Sequence, residues 1–216
     1  FHGNAWQLLQ IECILSSEEN TLSLQEFLGQ KIKDIVLEEM KNDRTEMLTT
    51  LMENSFYCLF NSDRGTLEQG KNILSQVRNK LLVVNDILQK INFTIGISNI
   101  YEDFGDIHIC VRECAACIDH KVIKGKNKII KYEDIPKEEL EAACFVDDAF
   151  RKRFLKIIAD ADKEKLVVEI NELVTLLYRY SGRISGTMVL EIFQMLIKLF
   201  YKGIQVFNIT DFREFS

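Results

Sequence analysis

Between Asn92 and Ile135 the pattern of apolar and polar positions changes period twice. Phe93, Ile95 and Ile97 alternate with smaller or polar residues, which is strand period. Ile107, Cys110, Cys114, Cys117 and Ile118 then recur at helix period. Lys124-Gly125-Lys126-Asn127 is a turn, and Lys128 to Tyr132 is a second short apolar run. The segment therefore predicts strand, helix and strand in succession.

Trp6 to Leu15 reads as a first strand, apolar enough to be central. Ser23 can cap the third amide of a following helix and Glu26 can reach back, while Leu22 and Phe27 staple across the cap. That helix runs to about Met40 with Leu24, Phe27, Leu28, Ile32, Ile35 and Val36 on its apolar side. Thr45 to Phe60 reads as a hairpin turning at Glu53-Asn54-Ser55, and residues 61–65 as a loop. Thr66-Leu67-Glu68-Gln69 repeats the capping-box pattern and opens a helix with Ile73, Leu74, Val77, Leu81, Val84 and Leu88 inward. The order β-α-β-β-α-β, then α-β, is an α+β fold. Its first six elements match the split-βαβ, ferredoxin-like plan of an antiparallel sheet with helices on one face, and the last two extend it.

After Pro136 the character changes, and no convincing strand appears until the end. Ala149 to Ile158, Lys163 to Tyr180 and Thr187 to Tyr201 read as three helices, with Asp162 suited to the N-cap of the second and Gly182 just past its end. The expected division is residues 1–136 as an α+β domain and residues 137–216 as an all-α helical extension.

Composition narrows the function classes. At 47% hydrophobic and 28% charged, the 216 residues are ordinary globular material. A net charge of -6 argues against nucleic-acid or membrane-surface binding by this fragment, since phosphate binders concentrate Lys and Arg. The apolar stretch Met188 to Phe207 is interrupted by Glu191, Gln194, Lys198 and Lys202, which suits a buried helix rather than a membrane span. Six cysteines without a secretory signal read as reduced thiols of a cytoplasmic protein. A start at Phe1 rather than Met suggests a piece of a longer protein.

The element order, the frame NFTIGISNIY…GKNKIIKYEDI and the Asp160-Ala161-Asp162-Lys163-Glu164-Lys165 helix opening resemble the central region of YesN-like, AraC-family two-component response regulators. The resemblance is best from Phe93 to Ile135. It implies a bacterial regulator in which a receiver domain comes first, a divergent GGDEF-like domain and a helical segment follow, and a paired helix-turn-helix DNA-binding domain comes last. On that basis residues 1–136 are the divergent GGDEF-like domain and residues 137–216 a linker or dimerisation segment. The expected partners are a second copy in a homodimer and the neighbouring receiver and DNA-binding domains.

The hairpin decides what chemistry to expect. In active GGDEF cyclases its tip carries two glycines for nucleotide approach and acids for metal. Aligned on Phe56, this chain has Met52-Glu53-Asn54-Ser55-Phe56, a degenerate version. A neutral amide and a hydroxyl cannot replace two carboxylates in holding divalent metal against a triphosphate. Glu12 is the one acid of the first strand. The chain is therefore expected to have no catalytic residues, no cofactor and no enzymatic activity.

Cys110-x3-Cys114-x2-Cys117 has the spacing of a four-iron cluster motif, and thiolates are apt iron-sulfur ligands. The three cysteines are nonetheless in phase with Ile107 and Ile118, the face the helix must bury, where cysteine serves as a small hydrophobe. A zinc site using His108 or His120 with these thiols is the remaining metal reading, with no evident fourth ligand. No catalytic triad or phosphate-binding loop is specified. Lys121, Lys124, Lys126, Lys128 and Lys131 read as a solvated turn and edge strand, and Arg151-Lys152-Arg153 with Lys156 as a polar helix face. Apolar residues cover more than one face of the last helix, so Met188, Ile192, Met195, Leu196 and Leu199 are candidate dimer contacts. Three functions stay open: a non-catalytic regulatory module, a nucleotide-like small-molecule sensor with a remnant cleft beside the hairpin, and a metal protein built on Cys110, Cys114 and Cys117.

Overall fold

The computed structural model describes residues 3–15, 22–40, 45–52, 54–88, 91–137 and 140–207. The chain divides into two compact units, Phe1–Ile135 and Pro136–Ser216.

The first unit is built on a five-stranded sheet of order β2-β3-β1-β4-β5. β1 (Ala5–Leu15) is central, pairing antiparallel with β3 (Ser55–Ser62) and with β4 (Ile91–Ile97). β2 (Glu46–Met52) forms the hairpin with β3, and β5 (Lys128–Lys131) lies parallel to β4. The four strands β1 to β4, with one long helix after β1 and another before β4, thus make the ferredoxin-like βαββαβ core, and the fold is α+β.

Alternation along the strands sorts the two faces. Leu9, Ile11, Phe56, Phe60, Phe93 and Ile95 point to one face. There they meet Ile32, Ile35 and Val36 of α1 (Leu22–Met40) and Leu74, Val77 and Leu81 of a further helix (Lys71–Leu88). Each such side chain, fully buried, contributes about 1.5–3 kcal/mol of transfer free energy. Between β3 and that helix lies a short one, Arg64–Gln69, so the two are numbered α2 and α3 in chain order. The start expected at Thr66 falls inside α2. Asp63 takes the cap position instead, its carbonyl accepting the Thr66 amide at 3.0 Å. The loop expected at residues 61–65 begins later, because Asn61 is buried within β3. Its side chain accepts the Gly3 amide at 2.8 Å and donates to the Ala5 carbonyl at 3.1 Å.

The helices do not stay on one face. α4 (Ile107–Asp119) covers the other side, where Leu8 packs against Cys110 and Cys114. The approach is close: a Cβ added to Gly96 would lie 2.9 Å from Cys117 Cβ and 3.0 Å from the Cys114 carbonyl oxygen. Glycine on the strand and cysteine on the helix let α4 sit this near β4. A short helix, α5 (Lys121–Lys124), then leads to Gly125, whose φ of 82° suits a residue without Cβ. Asn127 secures the turn into β5. Its amide donates to the Phe93 carbonyl at 2.6 Å, and its side-chain oxygen accepts the Phe93 amide at 3.0 Å.

The second unit contains α6 (Asp148–Ala159), α7 (Lys163–Arg179) and α8 (Gly186–Val206). Each has a side-chain N-cap. Asp147 accepts from the Phe150 amide at 2.7 Å, Asp162 from Lys165 at 3.0 Å and Ser185 from Met188 at 3.0 Å. Phe154, Ile158, Leu173, Ile184 and Ile192 are buried among them. Among the described residues, no helix is long and apolar enough to cross a membrane.

Candidate functional site

The hairpin tip is tighter than the sequence suggests. Met52 pairs with Ser55, so the paired strands run to within two residues of each other. Glu53 lies outside the described residues. The Asn54 carbonyl accepts the Cys13 amide at 2.9 Å, which ties the turn to β1. The Asn54 side-chain oxygen accepts from Gln25 Nε2 at 3.2 Å, and Ser55 Oγ accepts from Gln10 Nε2 at 3.2 Å. Phe56 is buried in the sheet core, whereas Met52 is exposed. The polar groups described here are neutral and engaged with one another.

Glu12 stands directly across from Ser55 at the hairpin tip. It is taken up by an ion pair with Lys121, delivered from α5 on the same side of the sheet. A carboxylate already matched by an ammonium offers little to a cation.

The space between α1 and the hairpin is also closed. Leu51 packs onto α1 at Gly29, where an added Cβ would meet Leu51 Cδ2 at 2.5 Å. The cavity left there, bounded by Cys13, Leu28, Asn54 and Phe56, holds only ≈ 20 Å³. Ligand pockets run to roughly 300–1,000 Å³. The expected remnant cleft beside the hairpin is therefore not present among the described residues, because Leu51 fills it.

A larger cleft of ≈ 570 Å³ opens at the opposite end of the sheet. Phe60, Leu74 and Ile97 form its apolar floor, and Arg64, Glu68, Lys131 and Glu133 stand around it. The charges are locally matched: Arg64 pairs with Glu68 at 3.1 Å and with Glu102 at 3.3 Å, and Lys131 with Glu133 at 3.4 Å.

Asn99, on the wall of this cleft, belongs to a cluster that pattern reading missed. Glu113 of α4 is buried, and its carboxylate accepts three hydrogen bonds: from the Asn99 amide at 2.7 Å, from Asn99 Nδ2 at 2.9 Å and from the Tyr101 hydroxyl at 2.7 Å. Burial, reinforced by the bond to Glu113, pushes the Tyr101 phenol up to about 12. The signal was present in the sequence, since Glu113 falls three residues after Cys110 and four before Cys117, within the buried phase.

The cysteines come together as packing groups. Cys110, Cys114 and Cys117 are fully buried, and all six thiols of the chain are free. Cys114 Sγ donates to the Leu8 carbonyl at 3.2 Å and Cys117 Sγ to the Ile97 carbonyl at 3.6 Å. Burial pushes the Cys117 thiol up to about 12 and raises Cys110 and Cys114 as well. A protonated thiol bonded to a backbone carbonyl is not poised as a metal ligand. His120 is buried, and that burial, with Lys124 nearby, lowers its pKa. His108 is exposed and its Nδ1 donates to the Gly105 carbonyl at 2.7 Å.

On α8 the candidate dimer contacts need correcting. Met188, Ile192 and Leu196 are buried within their own unit, where α8 crosses α6, and so are unavailable to a partner. Met195 and Leu199 are half-buried. The exposed apolar residues of this helix are Ile197, Tyr201 and Val206.

No protein-family model and no curated protein matches the chain. Solved structures similar to it include an EAL/GGDEF domain protein from M. capsulatus, 17% identical, covering 61% of this chain and 86% of that one with a TM-score of 0.45. The active GGEEF domain of a diguanylate cyclase from Vibrio cholerae is 12% identical, covering 60% of this chain and 83% of that one with a TM-score of 0.41.

Proposed function

We propose that this chain is a non-catalytic regulatory module of a DNA-binding transcription regulator of the two-component type, working as a homodimer that passes the state of a receiver domain to DNA-binding domains. The observation that carries the non-catalytic part is the pairing of Glu12 with Lys121 beside a tip that offers Asn54 and Ser55. Metal-assisted attack on a triphosphate needs carboxylates free to hold the cation, and β1 supplies one acid that is already engaged. The regulator part is supported by the resemblance of the Phe93–Ile135 frame. The dimer follows from the two-fold symmetry of paired half-sites that such regulators read. Incubation with GTP and Mg²⁺ or Mn²⁺ tests the first part: no nucleotide turnover is expected. The sequence of the full-length gene product tests the second. Flanking domains other than a receiver and a helix-turn-helix pair overturn it.

A second reading, a small-molecule sensor, is favoured by the ≈ 570 Å³ cleft floored by Phe60, Leu74 and Ile97. Its size suits a drug-sized or nucleoside-sized ligand. A thermal-shift screen with nucleotides and cyclic dinucleotides separates the two readings, and stabilisation by none of them counts against the sensor.

A further inference from the structure

Among the described residues, β2 is a sheet edge without the features that usually keep such an edge from pairing. It bonds to β3 on one side, and among the described residues no strand pairs with its other side. Such an edge presents a row of N–H and C=O groups that templates pairing with another chain unless charge, proline, a bulge or shortness blocks it. The opposite edge is blocked: β5 is four residues long with Lys128 and Lys131 at its ends. β2 is not. Its seven residues contain no proline and no lysine, and its one charge, Glu46, is at the start. Apolar side chains are exposed on both of its faces: Leu48 at 60% and Met52 at 62% on one, Leu51 at 45% on the other.

We propose that β2 pairs antiparallel with β2 of a second copy of this chain, joining two five-stranded sheets into one across a two-fold axis at Thr50. With the axis there, Leu48 lies opposite the partner's Met52, Thr50 opposite the partner's Thr50, and Leu51 opposite the partner's Thr49. The two most exposed apolar side chains of the strand cover each other twice, and a β-branched pair sits at the centre, the kind of cross-strand match that stabilises sheets. Moving the axis to Thr49 sets Leu48 against threonine and Glu46 against methionine, which is the poorer match. The strand's complementarity to itself selects a second copy over an unrelated partner. The proposal assigns a contact to the homodimer of the regulatory reading, and a two-chain mass unmoved by Thr50→Lys would remove this contact without removing that homodimer. A contact this small belongs to the weak, transient class, so assembly is concentration-dependent.

The test is the mass of the whole chain in solution over a concentration series. The expected result is a shift from one chain to two. Thr50→Lys holds the mass at one chain without changing far-UV circular dichroism or melting, since Thr50 is exposed. A second measurement keeps the result independent of that variant's behaviour. In a Cys144→Ser background, which removes the exposed native thiol, Thr50→Cys is expected to form a disulfide-linked pair on oxidation, because residues facing each other across the axis lie within disulfide reach. Thr49→Cys, two residues off register from its own copy, is not. One-chain mass at every concentration, two-chain mass unmoved by Thr50→Lys, or no cross-link at position 50 overturns the proposal.

Discussion

Lys121 of α5 forms an ion pair with Glu12 of β1 across 109 residues of sequence, on the face of the sheet that α4 covers. Both side chains are about one-quarter exposed, at 25% and 22%, so the pair is worth more than a fully solvated one and is still screened. Glu12→Gln and Lys121→Met are each expected to cost about 1 kcal/mol. A double-mutant cycle by urea denaturation should give a coupling of roughly 0.5–1 kcal/mol that shrinks in high salt. Additive single effects would mean the two groups do not interact.

Gly96 and Cys117 define how closely α4 can approach the sheet. Gly96→Ala places a methyl where 2.9 Å is available, so α4 must move. The expected loss is about 1–3 kcal/mol of unfolding free energy. Cys114→Ala, which removes a small buried group, is expected to be milder than Cys114→Leu, which overpacks the same contact. Equal effects in both directions would count against tight packing at this site.

The buried thiols give a pH signature. Cys58 and Cys117 are raised by burial from the ordinary 9.0 to about 12. Above 9 the unfolded chain gives up these protons while the folded one keeps them, so the unfolded state binds fewer and stability falls as pH rises. The contribution is complete below pH 9 and is lost progressively between 9 and about 12. Denaturation midpoints across that window should fall, and Cys117→Ala should flatten the decline. In the native state at neutral pH an aromatic disulfide reagent should label exposed Cys144 quickly, and the buried cysteines 58, 110, 114 and 117 only on unfolding.

Glu113 fastens the chain leaving β4. Tyr101→Phe removes one of its three hydrogen bonds and is expected to cost about 1 kcal/mol. Glu113→Ala strands Asn99 and Tyr101 together and is expected to cost about 2–4 kcal/mol. Hydrogen exchange of the Asn99 amide, which donates to the carboxylate at 2.7 Å, should accelerate in Glu113→Ala and stay slow in Tyr101→Phe.

The elements of this fold were largely legible because period carries them. Phe93, Ile95 and Ile97 announced β4, and Cys110, Cys114 and Cys117 announced the buried stripe of α4. What period does not carry is which side of a sheet a helix takes, and α4 lies on the face opposite α1 and α3. It also does not carry long-range polar pairing. Glu12 and Lys121 look like two unrelated surface charges until the sheet places α5 beside β1. Nor does period carry which apolar residues of α8 its own unit covers. A helix apolar over more than one face can be enclosed by its own neighbours: Met188, Ile192 and Leu196 are buried, and α6 packs so near the far end of α8 that a Cβ added at Gly203 would meet Ile158 at 3.0 Å. That positions 54 and 55 carry an amide and a hydroxyl was legible directly in the sequence. That Leu51 also fills the space against Gly29 required coordinates.

The central proposal is that Glu12, paired with Lys121, and the hairpin tip at Asn54 and Ser55 do not support cyclase chemistry. The most direct measurement is product formation by the purified chain at high concentration with GTP and excess Mg²⁺ or Mn²⁺, followed by chromatography for cyclic dinucleotide and pyrophosphate. No product above a protein-free control is predicted, and Lys121→Met, which frees Glu12, should produce none either. Cyclic dinucleotide that accumulates with the native chain and disappears in Glu12→Gln would contradict the account.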